Sequence, residues 1–245
     1  MTLLPVNLIL FEAAEIDHPL PRGDRRARHI LEVLRRQIGD TLDAGIINGP
    51  RGKATLTKVT ADALMVSFAG EAAPATPPPL TLIVGLPRPQ TARDILRDAT
   101  TLGVAAIHFV RTAKSEPSYA QSTLWSTDEW RRHAIAGAEQ AFDTRIPEIT
   151  HGRFLVDILS ALPAAPATTR IAFDNYESPL PLGQIQCATY HVTLAVGAER
   201  GWSAEERGLL RGHGFSFAHL GARVLRTETA CVAALAIIRT KLGLM

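Results

Sequence analysis

The pattern of hydrophobic and polar residues divides the chain into two parts. In the first part, short runs rich in apolar residues and bounded by turn residues indicate β-strands. These runs cover residues 6–11, 41–47, 53–60 and 63–68, with a turn at 48–52. One helix is predicted at 24–36, with Ile30, Val33 and Leu34 as its apolar stripe. The first part therefore reads as a small β domain with one helix on its flank.

The second part alternates between strands and helices, which predicts a parallel sheet covered by helices. Strands are predicted at 80–86, 105–110, 169–173 and 191–196, and helices at 91–102, 128–142, 153–159, 204–212 and 228–242. Ser126 and Ser203 each precede a glutamate by three residues, which predicts two capping boxes. The last helix is apolar on nearly every side, so we expect it to be buried in a core or a subunit interface.

Composition narrows the class of protein. The chain has 245 residues, of which 46% are hydrophobic, which is ample for folded cores. Residues 70–79 are rich in proline and alanine and predict a stiff connector, which gives domains at 1–70 and 80–245 joined by 71–79. We expect no membrane span, because no apolar run reaches about 18 residues. We expect no signal peptide, because the apolar N-terminal stretch has no basic region before it and acidic residues right after it. Cys187 and Cys231 are expected to be buried, reduced thiols of a cytoplasmic protein.

Charge is distributed unevenly, although the net charge is only +2. Residues 22–36 contain six arginines against Asp24 and Glu32. Arginine suits bidentate contact with phosphate, but such a group can also be a solvated helix face. The arginines are Arg22, Arg25, Arg26, Arg28, Arg35 and Arg36.

Two glycine-containing segments carry candidate chemistry. Residues 194–203 follow a predicted buried strand and lead into a capped helix, and ligands of open α/β sheets bind at such strand ends. An ordinary strand–turn–helix connection is the alternative. Neither G-x-G-x-x-G nor a P-loop is present, which argues against a nucleotide-dependent oxidoreductase. Residues 220–230 combine a glycine turn with Arg223 and Arg226, and Arg226 is expected to be partly buried beside a helix that Thr227 caps.

Other polar residues have structural interpretations. Glu139, Gln140 and Arg145 end a helix before Pro147, where capping and salt bridges are expected. His29 and His133 lie on predicted helices, where packing or surface roles are expected. The sequence shows no metal-ligand spacing and no nucleophile–base arrangement, so a metal site is not predicted.

Several of these segments match one family. LGARVLRTETA (220–230), AEQAFDTRIP (138–147) and RHILEVLRRQIGD (28–40) resemble the RsmE-type 16S ribosomal RNA uridine-N3 methyltransferases of the SPOUT class. ARDILRDATTLGV (92–104) and RTAKS (111–115) are looser matches. The resemblance implies a PUA-like RNA-binding barrel, then an α/β domain with a C-terminal trefoil knot that holds S-adenosylmethionine. It also implies a homodimer that acts on 16S rRNA or the small ribosomal subunit.

The resemblance also implies roles for individual residues. Arg226 and Arg200 are the candidates for stabilising the uracil anion, and Glu199 and Glu228 for accepting a proton or holding an arginine, although Glu228 could simply stabilise the helix start. The six arginines of 22–36 would contact rRNA phosphates. Cofactor contacts are expected from Leu194, Val196, Gly197, Glu199, Gly201, Leu220, Gly221, Val224, Leu225, Arg226 and Thr229.

The sequence departs from the family pattern at three places. Its turn reads Gly-Ala-Glu-Arg-Gly at 197–201 where the family has Gly-Pro-Glu-Gly-Gly, and Asp98 and Thr101 replace a lysine and a glutamate. Two alternatives therefore stay open. The protein could methylate another RNA site or atom, or it could bind RNA without catalysis.

Overall fold

The computed structural model describes residues 8–16, 18–74, 76, 79–163 and 167–245. The chain forms two compact units, one of residues 1–76 with 138–146 and one of residues 77–137 with 147–245. No pattern in the sequence indicates that 138–146 belongs to the first unit. Residues 6 and 7 of the first predicted strand, and 75, 77 and 78 of the predicted connector, lie outside the described residues.

The first unit is built on a five-stranded sheet. Its strands are β1 (Ile9–Phe11), β2 (Leu20–Pro21), β3 (Thr41–Ile46), β4 (Arg51–Val59) and β5 (Ala63–Ala72). They lie in the order β1-β3-β4-β5-β2. β1 and β3 are parallel and the other pairs are antiparallel. Two register shifts between β4 and β5 bend the sheet, which fits a barrel-like domain. β5 continues into the segment that was predicted as connector.

The helix predicted at 24–36 is present but shorter. It consists of α1 (Arg25–Arg28) and a π-helical turn at His29–Val33. Asp24 caps it by accepting a hydrogen bond from the Arg26 amide at 2.8 Å. Arg35 has a φ of 52°, a left-handed conformation that takes the chain out of the helix.

The second unit contains a seven-stranded, wholly parallel sheet, so the predicted parallel sheet is confirmed. Its strands are β6 (Leu80–Gly85), β7 (Ala106–Arg111), β8 (Glu148–Phe154), β9 (Thr169–Phe173), β10 (Leu180–Pro181), β11 (Val192–Val196) and β12 (Ser216–His219). They lie in the order β10-β12-β9-β11-β6-β7-β8. The remaining helices are α2 (Pro89–Thr101), α3 (Thr123–Ser126), α4 (Glu129–Ala141), α5 (Leu155–Ala161), α6 (Ala204–Gly212) and α7 (Thr227–Lys241).

Hydrophobic cores lie on both faces of this sheet. Leu82 and Val84 of β6 pack into one core with α2 and α7, whereas Ile83 packs into the other with α5 and α6. Strands buried on both faces read as continuous apolar runs, which explains why the central strands were predictable. α7 buries one face of its surface, while Val232 on another face is 36% exposed. No helix in the described ranges is long and apolar enough to span a membrane.

Three predicted helix starts were wrong. Ser126 ends α3 and does not cap α4, because the Glu129 amide donates to Thr127 Oγ1 instead. Residues 153 and 154 belong to β8, so α5 begins at Leu155. The N-cap position of α7 is Arg226, and Thr227 is the first helical residue. The capping box at Ser203 is confirmed, because its hydroxyl accepts from the Glu206 amide at 3.1 Å and Glu206 accepts from the Ser203 amide at 2.8 Å.

Candidate active site

A cavity of about 700 Å³ lies in the second unit, at the carboxyl ends of five parallel strands. Its walls come from the segments that follow β6, β7, β9, β11 and β12, where ligands of open α/β sheets bind. It is lined by Arg88, Thr91, Lys114, Phe173, Asp174, Asn175, Tyr176, Val196, Gly197, Ala198, Glu199, Arg200, Gly201, Trp202, Arg207, His219, Leu220, Arg223, Val224, Leu225, Arg226, Thr227, Glu228 and Ala230.

The first glycine turn, residues 197–202, is packed tightly beneath this cavity. Gly201 has a φ of +65°, and its amide donates to the Ala198 carbonyl at 2.7 Å. A Cβ on Gly85, at the end of β6, would lie 2.5 Å from the Ala198 nitrogen. A Cβ on Gly197 would lie 2.9 Å from the Gly201 Cα. Glycine is therefore needed at these positions for steric and conformational reasons.

Trp202 joins this turn to the end of β9. Its side chain is fully buried, and its indole Nε1 donates to the Phe173 carbonyl at 3.1 Å. Its own carbonyl accepts from Arg207 Nη1 at 3.1 Å, and the same nitrogen lies 3.1 Å from Asp174 Oδ2. Asp174 Oδ1 accepts from the Tyr176 amide at 2.8 Å. Trp202, Arg207 and Asp174 therefore fix one wall of the cavity.

The second glycine turn, residues 220–226, lies between β12 and α7 and lines the same cavity. Gly221 has a φ of +105°, and its amide donates to His219 Nδ1 at 3.1 Å. In the described part of the chain, the amides of residues 222–225 donate no backbone hydrogen bond. These N–H groups are free to bind a ligand. The two turns that the sequence singled out are thus brought together at one site.

Most of the predicted site residues line the cavity, and a few do not. All four predicted catalytic residues, Arg226, Arg200, Glu199 and Glu228, contribute to the wall. Leu194 lies in β11 within the hydrophobic core, and Gly221 and Thr229 do not line the cavity. Arg226 is exposed, so the expectation that it is partly buried was wrong, because no residue that the structure describes covers its side chain.

The cavity wall is predominantly cationic, with six lysine or arginine side chains against three carboxylates. Glu199 Oε1 accepts from the Arg88 amide at 2.9 Å, which holds the first turn beside α2. Arg200, Arg223 and Arg226 have no ion pair within the described ranges, so their guanidinium groups are available. Arg88, Lys114, Asp174 and Arg207 were not predicted, because only the tertiary fold brings these four residues to one cavity.

In the first unit, the predicted RNA-binding arginines differ in their surroundings. Arg22, Arg25, Arg28, Arg35 and Arg36 are exposed. Arg26 differs because its side chain is only 16% exposed and pairs with Glu15 at 2.7 Å and Asp24 at 2.9 Å. Hydrogen bonding to Arg26 lowers the pKa of both carboxyls. The contacts of Arg26 are therefore structural.

The 138–146 segment also has a structural role in the first unit. Glu139 accepts hydrogen bonds from the Leu10 amide at 3.3 Å and from Arg25 at 3.0 Å. The Thr144 carbonyl accepts from the Asn48 amide at 2.8 Å. The expected salt bridge at the end of this helix is therefore present for Glu139. No metal-binding group of histidine, cysteine and carboxylate residues occurs among the described residues.

Known proteins with similar sequences are RNA methyltransferases. The family model of the RNA methyltransferase domain matches residues 74–239. Ribosomal RNA small subunit methyltransferase E of Treponema pallidum (strain Nichols) is 35% identical over 95% of this chain and 90% of its own length. Its namesake E 1 of Borreliella burgdorferi is 27% identical over 97% of this chain and 99% of its own length.

Solved structures show the same fold. A probable rRNA-methyltransferase from Porphyromonas gingivalis superposes with a TM-score of 0.80 at 23% identity, covering 97% of this chain and 98% of its own. A ribosomal RNA small subunit methyltransferase E from Neisseria gonorrhoeae, bound to S-adenosyl methionine, gives a TM-score of 0.72 at 24% identity. That match covers 96% of this chain and 97% of the other.

Proposed function

Because the chain belongs to the ribosomal RNA small subunit methyltransferase E family, we propose that it uses S-adenosylmethionine to methylate N3 of a uridine in 16S ribosomal RNA. The observation that carries this proposal is the meeting of two glycine turns, 197–202 and 220–226, at one cavity. Each turn follows a strand of the parallel sheet, and together they leave free backbone donors beside apolar and charged walls.

The cavity suits this cofactor in size and chemistry. Its volume of about 700 Å³ falls within the roughly 300–1,000 Å³ of small-molecule sites. Val196, Leu220 and Leu225 supply apolar wall for an adenine, and the free amides of 222–225 can bind its ring nitrogens or the ribose. Glu199 and Glu228 supply negative charge near a sulfonium. The cofactor contributes an electrophilic methyl group to the reaction.

The residues of this chain would prepare the nucleotide. Uracil N3 is weakly acidic and attacks well only after it loses its proton. The unpaired guanidinium of Arg226 would stabilise the negative charge on the uracil oxygens, with Arg200 as the second candidate. Glu228 is the better candidate for proton acceptor, because Glu199 already accepts a hydrogen bond from the Arg88 amide.

The wider assembly follows from the family resemblance. We propose that the first unit is a PUA-like barrel whose exposed arginines bind phosphates of 16S rRNA or the small subunit. Arg26 is left out of that surface because its ion pairs occupy it. The proposal has two further parts. The two turns form a trefoil knot, and a homodimer covers the exposed face of α7. The free cysteines fit a reducing compartment, the cytoplasm.

The proposal is tested by incubating the purified protein with S-adenosylmethionine and an RNA substrate. The substrate is either free 16S rRNA or small subunits, taken from a strain that lacks the gene. Mass spectrometry of the digested RNA should detect N3-methyluridine. A methyl group found on another nucleoside would refute the assignment to uridine N3 and favour a different RNA target. Arg200 stands where the family has a glycine, so the non-catalytic alternative is also tested. It would be favoured if calorimetry shows no binding of S-adenosylmethionine at high micromolar concentration.

A further inference from the structure

The segment at the end of β7, Arg-Thr-Ala-Lys-Ser at 111–115, has no role in the mechanism above. It forms a compact turn in which the Ser115 amide donates to the Thr112 carbonyl at 3.2 Å. The Thr112 and Ser115 hydroxyl oxygens lie 2.6 Å apart. This turn is therefore ordered by its own hydrogen bonds and can serve as a fixed point for neighbouring backbone.

Two charged side chains connect this turn to the first glycine turn and to the start of α6, which follows it directly. Lys114 Nζ donates to the Trp202 carbonyl at 2.8 Å and to the Arg200 carbonyl at 3.2 Å. In the opposite direction, Glu206 Oε1 accepts from the Ala113 amide at 2.7 Å while its other oxygen caps α6. Charged donors and acceptors make stronger hydrogen bonds than neutral ones.

The contacts of Lys114 fix two peptide groups on either side of Gly201. The 200–201 peptide is held at its oxygen by Lys114 and at its nitrogen by the Ala198 carbonyl. The 202–203 peptide is held at its oxygen by Lys114 and Arg207, and at its nitrogen by Glu206. Gly201 has a left-handed φ of +65°. Glycine adopts positive and negative φ about equally well, so it does not hold this conformation by itself. The conformation of the turn thus depends on these external contacts.

We propose that Lys114 is a positioning residue, which holds the 197–202 turn in its ligand-binding conformation before the ligand arrives. Such preorganisation raises affinity because the turn need not be ordered on binding. The identity of the ligand as S-adenosylmethionine rests on the proposed function. The ordering of the turn by Lys114 is independent of that function.

The test compares Lys114→Met, which removes the charge but keeps the chain length, with Lys114→Arg and a matched control. Lys241 provides the control, because its Nζ also donates to a carbonyl, that of Gly183 at 2.7 Å, and does not line the cavity. In Lys114→Met, hydrogen exchange at residues 198–203 without ligand should accelerate about tenfold, while the melting temperature falls by no more than about 2–4 °C. The Kd for S-adenosylmethionine should rise about five- to tenfold, Lys114→Arg should recover most of both effects, and Lys241→Met should show neither.

Unchanged exchange at 198–203 in Lys114→Met would overturn the inference. If affinity falls in that case, Lys114 contacts the ligand directly and does not position the turn. Faster exchange in a protein whose wild type binds no S-adenosylmethionine would support the positioning role and refute the proposed function. The two proposals can therefore fail separately.

Discussion

Replacing Gly85 by alanine should damage the cofactor site through a single added methyl group. The new Cβ would lie 2.5 Å from the Ala198 nitrogen and 3.2 Å from the Gly197 carbonyl carbon. Ordinary contact needs about 3.5 Å, so the first glycine turn must move by roughly 1 Å. Both partners are backbone atoms, which cannot rotate away as a side chain could. A displacement of about 1 Å at a reacting centre can reduce the rate by around 100-fold.

The expected results are a loss of methyl transfer of about 100-fold, a clearly weaker affinity for S-adenosylmethionine, and a destabilisation of roughly 1–3 kcal/mol from overpacking. The rate is measured by methyl transfer from radiolabelled cofactor to 16S rRNA. The affinity is measured by calorimetric titration and the stability by thermal unfolding. Gly208→Ala is the matched control, because it adds the same methyl group within α6 with nothing inside 4 Å. It should leave activity unchanged and stabilise the protein by about 0.5–1 kcal/mol.

Wild-type affinity and turnover in Gly85→Ala would refute the reasoning, because the turn would then tolerate displacement or would not bind the cofactor. A loss of affinity in Gly208→Ala of the same size would refute it as well. In that case an added methyl group anywhere in the unit would be enough to disturb the site.

Two further predictions concern Arg226 and Arg26. Arg226→Ala should lower kcat by about 10²–10³-fold, as for the loss of one oxyanion-hole donor, while the Kd for S-adenosylmethionine stays within about threefold; normal turnover in single-turnover assays would remove Arg226 from the mechanism. Arg26→Met should destabilise the first unit by about 1–3 kcal/mol, and circular dichroism should detect this while tryptophan fluorescence does not, because all three tryptophans lie in the second unit. Arg26 lowers the pKa of Glu15 and Asp24 from 4.5 and 3.8, so the wild type should lose this stabilisation as the pH falls below those values; a mutant with the same acid dependence would contradict the assignment.

The elements that the sequence predicted best carry strong local signals. α6 was predicted to the residue, because the Ser203 capping box marks its start and Gly212 its end. β9 was predicted equally well, because Ile171, Ala172 and Phe173 form a short apolar run that is buried. β8 was missed because its residues, Glu148–Phe154, are mixed in polarity and pair with one neighbour only, at the sheet edge.

The candidate site was predictable where glycine and charge adjoin a strand end. Both glycine turns were identified in this way, together with Arg200 and Arg226. Lys114 and Asp174 were not, because Lys114 binds the Trp202 carbonyl and Asp174 pairs with the Arg207 side chain, and no local pattern records contacts so distant in sequence. The exposure of Arg226 was also beyond sequence reasoning, since it depends on what covers a loop in three dimensions.

The strand order of the second sheet has a consequence for how the protein is synthesised. At its centre, Leu80 of β6 pairs with Val192 of β11, more than a hundred positions later. Pairing so distant in sequence slows folding, because a long loop must close before its contacts form. A nascent chain released before β11 would lack the middle of its sheet, and one released before Ala230 would lack a complete pocket. Enzymatic competence therefore requires synthesis up to Ala230 and closure of the β6–β11 pairing, and we expect the second unit to fold slowly.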